Sequence, residues 1–293
     1  TGAIVVSGGT LSLNGGGSAS GFNITAGAGG VLAFGTTATG GSHTFSITDG
    51  FFAPANVEVD GGTLDVSAAS AVIFVDTLGV SAGRLALGAQ NATDQGTLNQ
   101  TGGTIAGSGA LSVVGGSNRT GGVQSGGLTI MLSCTSVSGG SFALDGGATL
   151  QNDQWLNWSA GNITLGSGDP TAAIHTGTLT NEQILYITAD GRIATPTGTG
   201  VVNNAATGAI AVYAGSGETD IDARLNNAGG IQVQSGTLTW TLGPTSTGAP
   251  ITMSFLFDAT WDSRTVASTN HSLAASALAG TYFYADYCSG WVR

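Results

Sequence analysis

The sequence predicts an all-β fold, a mainly parallel β-solenoid with turns of about 20–25 residues. Between residues 177 and 240 an apolar residue, a spacer and an asparagine recur three times at equal intervals, ending at Asn181, Asn204 and Asn227. A fixed period of about 23 residues, with strand-like residues in every copy, is typical of a solenoid. Asparagines at equivalent positions of successive turns are expected to stack as a ladder, hydrogen-bonded from turn to turn.

Short strands with alternating apolar residues also occur outside this region. Examples are AIVVSGGTLSL from residue 3, VEVDGGTLDV from residue 57 and LGVSAGRLAL from residue 78. Alternation buries one face of a strand, and the glycines between paired strands supply the positive φ that a corner requires. The side chains expected to point inward are Ile4, Val6, Leu11, Leu13, Val57, Val59, Leu64, Val66, Ile231, Val233 and Leu238.

The rest of the chain follows this pattern in order. Residues 1–116 contain strand segments separated by Gly, Ser, Thr and Asn, residues 117–176 are less regular, and residues 177–243 carry the regular copies. After residue 243 the linker-like PTSTGAP precedes a dense apolar run, ITMSFLFDATW. We therefore predict a solenoid domain over 1–243 and a C-terminal cap, or the start of another module, over 244–293. About a dozen turns would form a rod of roughly 60 Å.

An antiparallel arrangement is the alternative fold. A strand, the sequence SGGT and a second strand could close a hairpin instead of turning a solenoid corner. The two folds differ in their strand pairing. Hairpins require Val6 to pair with Leu11, whereas a solenoid places Val57 beside Leu78 in the next turn.

Composition and charge exclude several classes of protein. The 293 residues include 51 glycines, 8% charged residues and no lysine, and the formal net charge is −11. The alternating strands argue against disorder, and glycine does not recur at every third position as in collagen. The six scattered arginines do not form the basic footprint that nucleic acid or an anionic membrane surface requires. No apolar run reaches the length of about 18 residues that a spanning helix needs, so we expect no membrane insertion.

The glycine-rich strand motifs resemble those of a known class of proteins. Because of GGTLSL, GGTLDV, SGTLTW and NNAGGIQVQSGTL, residues 1–243 resemble the repeat regions of secreted bacterial adhesins and autotransporter passengers. This resemblance implies a right-handed parallel β-helix that is secreted or displayed at the cell surface. The chain begins at Thr1 in mid-pattern without a methionine, which we interpret as a processed product or a fragment.

The end of the chain carries a second resemblance. ALAGTYFYADYCSGWVR, residues 277–293, is similar to a strand near the end of the soluble sugar dehydrogenase β-propellers. The preceding chain lacks both the six-bladed pattern and the catalytic histidine and arginine context of those enzymes. The resemblance therefore implies a strand here and no activity.

Few single residues suggest catalysis or metal binding. The segment GVSAG, residues 79–83, has the spacing of a nucleophile elbow. An elbow needs a helix after the strand, and none is predicted here. Ser81 is therefore interpreted as a corner residue. His43, His175 and His271 are far apart and lack metal-ligand spacing. We interpret them as solvent-facing or locally hydrogen-bonded, and we assign no catalytic, cofactor-binding or metal-binding residue.

The only local acidic cluster is SGETDID, which contains Glu218, Asp220 and Asp222. Strand alternation would place the two aspartates on one face, where they could share a hard cation such as calcium. The calcium-binding nonapeptide of parallel β-rolls is absent. We therefore interpret the cluster as a solvated loop, with calcium binding left open.

Tryptophans, cysteines and asparagines allow three further expectations. Trp155 and Trp158 are three positions apart, so in a strand they face opposite ways and one of them is expected in the core. Cys134 and Cys288 are separated by several turns and are predicted not to form a disulfide with each other. Sequons that matter only if the source glycosylates begin at Asn23, Asn91, Asn118, Asn157, Asn162 and Asn270.

The function expected from sequence is that of a structural or adhesive extracellular surface protein, not an enzyme. Strand edges at the ends of a rod favour self-association into oligomers or fibres, and surface glycans are a second class of partner. A carbohydrate-active β-helix enzyme, a polysaccharide lyase or hydrolase, is the main alternative, and it would need converging carboxylates or a metal-supported base. An ice-binding rod is the third, and it would need aligned Thr-x-Thr rows.

Overall fold

The alternating sequence forms two parallel sheets that wind around one core. A computed structural model describes residues 3–19, 23–26, 29–35, 43–53, 56–188, 190–197, 199–240, 285–286 and 291–292. The fold is an all-β, parallel β-solenoid of about ten turns, as predicted. One sheet has 11 strands and is called the narrow sheet below, and the other has 16 and is called the wide sheet.

Each turn contributes one strand to the narrow sheet and one bent or two short strands to the wide sheet. The narrow sheet consists of β1 (Ala3–Val6), β4 (Asn23–Ala26), β7 (Phe51–Ala53), β9 (Val72–Phe74), β11 (Ala92–Asp94), β14 (Ala110–Val113), β17 (Leu128–Met131), β19 (Ala148–Asn152), β21 (Gly177–Asn181), β24 (Val201–Asn204) and β26 (Arg224–Asn227). The wide sheet consists of β2 (Thr10–Ser12), β3 (Gly17–Ala19), β5 (Val31–Phe34), β6 (Thr44–Ile47), β8 (Asn56–Asp65), β10 (Leu78–Gly88), β12 (Leu98–Gln100), β13 (Thr104–Gly107), β15 (Ser117–Arg119), β16 (Val123–Ser125), β18 (Thr135–Asp145), β20 (Trp155–Leu165), β22 (Ile184–Ile187), β23 (Gly191–Ala194), β25 (Ala209–Asp222) and β27 (Gly230–Trp240).

Strand pairing distinguishes the solenoid from the hairpin alternative. Val57 lies beside Leu78 in a parallel ladder, as the solenoid requires, and the hairpin hypothesis is therefore wrong for this part of the chain. Turn length varies more than predicted, because the turn from Ser117 to its partner Thr135 is short, whereas the turn from Leu156 to Leu185 is more than half as long again. The 11 strands of the narrow sheet, at ~4.8 Å per strand, give a stack of about 48 Å, shorter than the rod expected from a dozen turns.

A glycine allows a long strand of the wide sheet to bend in its middle and continue in a new direction. Gly83 in β10 has φ +69, and the ladder to β8 shifts register on either side of Ala82. A side chain at Gly83 would collide with the backbone carbonyl of Gly62 in the previous turn. The bend therefore depends on a residue that tolerates positive φ and close backbone contact at once.

The core is a continuous column of inward side chains, and the predicted set is largely correct. Val6, Val57, Val59, Leu64, Val66, Ile231, Val233 and Leu238 are buried. Leu11 and Leu13 are only partly buried, although they pack against the core. Both lie in the first described turn. The side chain of Ile4 lies outside the described residues.

The asparagine ladder is confirmed, and it contains one more member than predicted. Asn181 donates through Nδ2 to Asn204 Oδ1 at 2.8 Å, and Asn204 donates to Asn227 Oδ1 at 2.7 Å. Asn152 precedes them, donating to Asn181 Oδ1 at 2.8 Å. The four side chains are buried, so each amide replaces water contacts with bonds to the next turn.

The C-terminal part of the chain is described only in a few residues. The predicted boundary at residue 243 and most of 244–293 lie outside the described residues, so the domain division stays a prediction. Within the segment that resembles a propeller strand, β28 (Ala285–Asp286) and β29 (Trp291–Val292) form a short antiparallel pair. None of the described residues forms a helix long and apolar enough to cross a membrane.

Candidate functional site

The outer surface of the narrow sheet carries an exposed apolar area. Along β7, β9, β11, β14 and β17, one outward column reads Phe52, Ile73, Thr93, Ser112 and Ile130 in consecutive register. These side chains point away from the core because their strand neighbours point into it. Phe52 is 49% exposed, an unusual state for a phenylalanine.

A second outward column lies directly after the same strands. Its residues are joined to the preceding turn by backbone bonds, such as those from Val114 N to Asp94 O and from Leu132 N to Val113 O. Val114 is 47% and Leu132 43% exposed. We call the two columns together the apolar strip, which consists of Phe52, Ile73, Val75, Thr93, Gln95, Ser112, Val114, Ile130 and Leu132.

The apolar strip has no charged member, although the chain carries a net charge of −11. Beyond β17 the same columns become polar. Asn226 donates to Asn203 Oδ1 at 2.8 Å, and Asn203 donates to Thr180 Oγ1 at 3.4 Å, forming an outer amide ladder. The outer face of the narrow sheet is therefore apolar toward the N-terminal end of the rod and polar toward the C-terminal end.

A cluster of ionisable groups lies on the other sheet, beneath an insertion. Residues 166–176 connect β20 to β21 and fold over the outer face of the wide sheet, so that Gly168 packs on Ala143. Asp145 is fully buried below this insertion. Its carboxylate accepts bonds from Gly146 N at 2.8 Å and Asp169 N at 3.0 Å, and it lies 3.1 Å from His175 Nδ1.

Asp169 is the second buried carboxylate of this cluster. It accepts bonds from the backbone N–H and the hydroxyl of Thr171, and Arg84 Nη1 lies 3.4 Å from its Oδ2. Burial by itself would raise the pKa of Asp169, but hydrogen bonds from Ser125 and Thr171 and the charge of Arg84 outweigh it and lower the pKa to about 2. The carboxylate is therefore ionised at neutral pH.

The arrangement of this cluster fits an attachment point for the insertion. The two carboxylates are directed at donors of residues 146–175, at Ser125 and at Arg84, so they are already engaged within the protein. A glycosidase pair needs carboxyl groups that reach a substrate from two sides. Within the described part of the chain, no three His, Cys, Asp or Glu side chains are grouped closely enough to hold a metal ion.

The residues singled out in the sequence are dispersed over the rod. Ser81 is exposed at the bend of β10 and is followed by strand rather than helix, as expected. His43 is half-buried and accepts a bond from Thr63 N through its backbone carbonyl, 2.7 Å away. His175 is locally bonded to Asp145, as predicted. His271 lies outside the described residues.

The acidic cluster lies on a strand, so its interpretation as a loop is wrong. Glu218, Asp220 and Asp222 belong to β25. Asp220 and Asp222 share one face, as predicted, but the face is completed by Arg192 from β23, whose Nε lies 3.3 Å from Asp220 and whose Nη2 contacts Asp222. Register explains the difference, since Arg192 is the direct partner of Asp220. The guanidinium of Arg192 thus lies between the two aspartates, where the sequence left open a calcium ion.

The two tryptophans face opposite ways, as alternation predicts. Trp155 is 60% exposed, whereas Trp158 is 1% exposed and donates through Nε1 to Gly161 O at 3.0 Å. On the same outer face as Trp155, Tyr186 and Tyr213 stack with ring centroids 4.6 Å apart. Sequence reasoning missed this pair, because the two tyrosines are far apart in the chain and meet only through the register of β22 and β25.

Cysteines and sequons remain as predictions. Cys134 is exposed, and Cys288 lies outside the described residues, so their pairing is not tested. Three sequon asparagines take part in contacts between turns: Asn91 Oδ1 accepts from Ala110 N, Asn118 Nδ2 donates to Asn99 Oδ1, and Asn162 Oδ1 accepts from Arg192 N.

No family model, no curated protein and no solved structure matches this chain. The resemblance to adhesin repeats is therefore confirmed only as an architecture, a parallel β-solenoid of about ten turns.

Proposed function

We propose that this protein is a structural or adhesive rod of the secreted or cell-surface type, and that copies associate side by side through the apolar strip. The observation that carries the proposal is the strip itself, an uncharged surface on an otherwise acidic chain. Phe52, Val114 and Leu132 are exposed there, other apolar members are half-buried, and Thr93, Gln95 and Ser112 lie among them. Contiguous exposed apolar patches on soluble proteins mark interaction surfaces.

A second copy of the chain fits the strip better than a charged partner does. Two copies with a net charge of −11 repel each other, and the repulsion is weakest where neither surface has a charge. A two-fold axis through the strip would place Val114 and Leu132 of one copy on the same surface of the other, as an isologous interface requires. The strip itself contributes no charge to such a contact, because none of its members is charged.

The size of the strip sets the expected strength of association. It crosses five strands, or about 20 Å along the rod, and it is two columns wide. This area is well below the ~800 Å² per partner of a stable dimer interface. Pairing is therefore expected to be weak and concentration-dependent, and repeated contacts in an array would add up to a durable fibre.

Adhesion to surface glycans is a second part of the proposal, and Trp155 supports it. Its indole is exposed on the wide sheet, away from the strip. An exposed aromatic ring can stack on the apolar face of a sugar ring. The ice-binding alternative is not favoured, since the outer column containing Thr93 has Ile73 and Ser112 beside it instead of further threonines.

Sedimentation velocity over a concentration series tests the proposal. We expect the sedimentation coefficient of the 293-residue chain to rise with concentration, with rods or bundles visible by negative-stain electron microscopy. Val114→Glu and Leu132→Glu place charges on the strip and should abolish the rise. Asn157→Glu adds the same charge to the exposed outer face of the wide sheet and should leave it unchanged. Wild-type protein that stays monomeric, or assembly that survives both strip variants, would contradict the proposal.

A further inference from the structure

The interior of the rod changes character in its middle turns. Between Phe74 and Leu156 several inward positions are polar, whereas the turns before and after are filled mainly with Phe, Leu, Ile, Val and Trp apart from the asparagine ladder. The inward polar side chains of these middle turns, the ladder aside, are Asp94, Gln100, Ser117, Arg119, Gln124, Thr129 and Thr135. Burial of polar groups is costly unless they are hydrogen-bonded.

Part of this polar interior is satisfied by a direct network. Gln100 Nε2 donates to Val123 O at 3.1 Å, and Arg119 Nη1 donates to Gln100 Oε1 at 2.8 Å. The guanidinium of Arg119 also lies 3.7 Å from Met131 Sδ and 4.7 Å from the ring centroid of Phe142. Burial lowers the pKa of Arg119 to about 9, which leaves it protonated at neutral pH.

Other buried polar atoms in these turns lack a partner among the described residues. Gln124 Oε1, on β16, is one of them. The other four are Asp94 Oδ2, Ser117 Oγ, Arg119 Nε and Thr135 Oγ1. Ser117 and Thr135 are direct partners on neighbouring strands, and Arg119 follows Ser117 by two positions on the same inward face. Asp94 shares its column with Met131, which Arg119 touches. Asp94 ends a strand of the narrow sheet, and Ser117 and Thr135 begin strands of the wide sheet, so these groups lie at the corner between the two sheets, spread over three successive turns.

We propose that ordered water molecules are bound inside the rod at this corner and bridge Asp94 to Arg119, Ser117 and Thr135. The set contains an acceptor, a donor and two hydroxyls that can serve as either. A bound cation would be repelled by Arg119, and a bound anion by Asp94 once this carboxyl is ionised, whereas water can accept from Nε and donate to Oδ2. Since a buried water makes about three hydrogen bonds, roughly two molecules satisfy the four groups.

A pair of isosteric substitutions tests the proposal through the sign of its effect. Thr135→Val removes the hydroxyl that would bind one of these water molecules. Because that hydrogen bond is lost, we expect the midpoint of thermal unfolding to fall by about 2–5 °C. Thr219 is the matched control, because it is fully buried and its hydroxyl also lacks a protein partner, but it lies in an apolar turn beside Leu238. Thr219→Val should raise the midpoint, since a methyl replaces an unsatisfied hydroxyl without loss of shape.

A rise of the midpoint for Thr135→Val as well as for Thr219→Val would overturn the proposal, as would no change for Thr135→Val. A crystal structure of the full chain provides the direct readout. We expect electron density for water within hydrogen-bonding distance of both Arg119 Nε and Asp94 Oδ2. A dry corner, in which Asp94 and Arg119 pair directly, would contradict the inference whatever the thermal data show.

Discussion

Asp94 provides the most direct test of how the polar interior affects stability. The side chain is fully buried, and one carboxylate oxygen accepts a bond from Gly96 N at 3.1 Å. Burial raises the pKa of Asp94 from 3.8 to about 7, although the bond from Gly96 acts in the opposite direction. We predict that Asp94→Asn stabilises the fold at alkaline pH and has little effect in acid.

The magnitude and the sign follow from the two pKa values. Below pH 3.8 the carboxyl is protonated in both the folded and the unfolded state, so its ionisation does not affect stability. Between pH 3.8 and about 7 the unfolded state releases its proton while the folded state keeps it, and the free energy of unfolding falls as pH rises. Above pH 7 the accumulated loss reaches at most about 4 kcal/mol. The amide introduced by Asp94→Asn is neutral throughout and avoids this loss.

Urea unfolding followed by tryptophan fluorescence at pH 4, 6 and 8 measures the effect. The difference in unfolding free energy between Asp94→Asn and wild type should grow from near zero to a few kcal/mol across this range. Asp76→Asn removes the same charge from an exposed position and controls for net charge. Wild type and Asp94→Asn curves that run parallel from pH 4 to 8 would refute the reasoning.

Three further predictions concern other parts of the rod. Asn204→Ala breaks the inner ladder and should lower the free energy of unfolding, measured by chemical denaturation, by about 3 kcal/mol. Asn203→Ala, in the outer ladder, should lower it by about 1 kcal/mol or less, and equal losses would contradict the stabilising role of the inner ladder. Asp145→Ala should speed proteolysis within 166–176 while circular dichroism stays unchanged, and unaltered cleavage would argue against the attachment point. Ile231→Asp should weaken hydrogen-exchange protection first in the adjacent turns; unchanged exchange there would refute it.

The fold and the ladder could be predicted because one period is visible in the sequence. Asn181, Asn204 and Asn227 are equally spaced, so their register is apparent without a structure. Asn152 occupies the same column, but the insertion 166–176 places it more than one regular period before Asn181 and hides it. A period can be recognised only where the loops of successive turns have equal length.

The contacts between turns could not be predicted for the same reason. Arg192 completes the face of Asp220 and Asp222 through register alone, and nothing near these aspartates in sequence indicates an arginine. The polar interior was missed because alternation was recognised only where apolar residues alternate. Asp94 and Arg119 occupy inward positions, but in SNR both inward residues are polar and in ATD one of the two is, so the apolar alternation disappears.

The middle turns combine a polar interior with an apolar exterior. Residues 92–135 contain buried Asp94 and Arg119, and on the outer face of the same turns Val114 and Leu132 are exposed. The C-terminal turns differ: their interior contains Leu, Ile and Val together with the hydrogen-bonded asparagine ladder, and their outer face carries further amide groups. Turns that bury less apolar area inside gain less stability from their own core. Burial of their outer face against a second copy would offset this deficit.

This reasoning predicts that association stabilises the two parts of the rod unequally. As protein concentration rises, amide hydrogen exchange should slow within residues 92–135, because binding of a second copy reduces local opening. Residues 201–233, whose outer face is polar, should exchange at the same rate throughout. Val114→Glu should remove the concentration dependence without altering exchange in 201–233. Equal slowing in both segments would mean that copies also contact each other elsewhere on the rod. It would contradict the idea that the middle turns, with their polar interior, are stabilised by association.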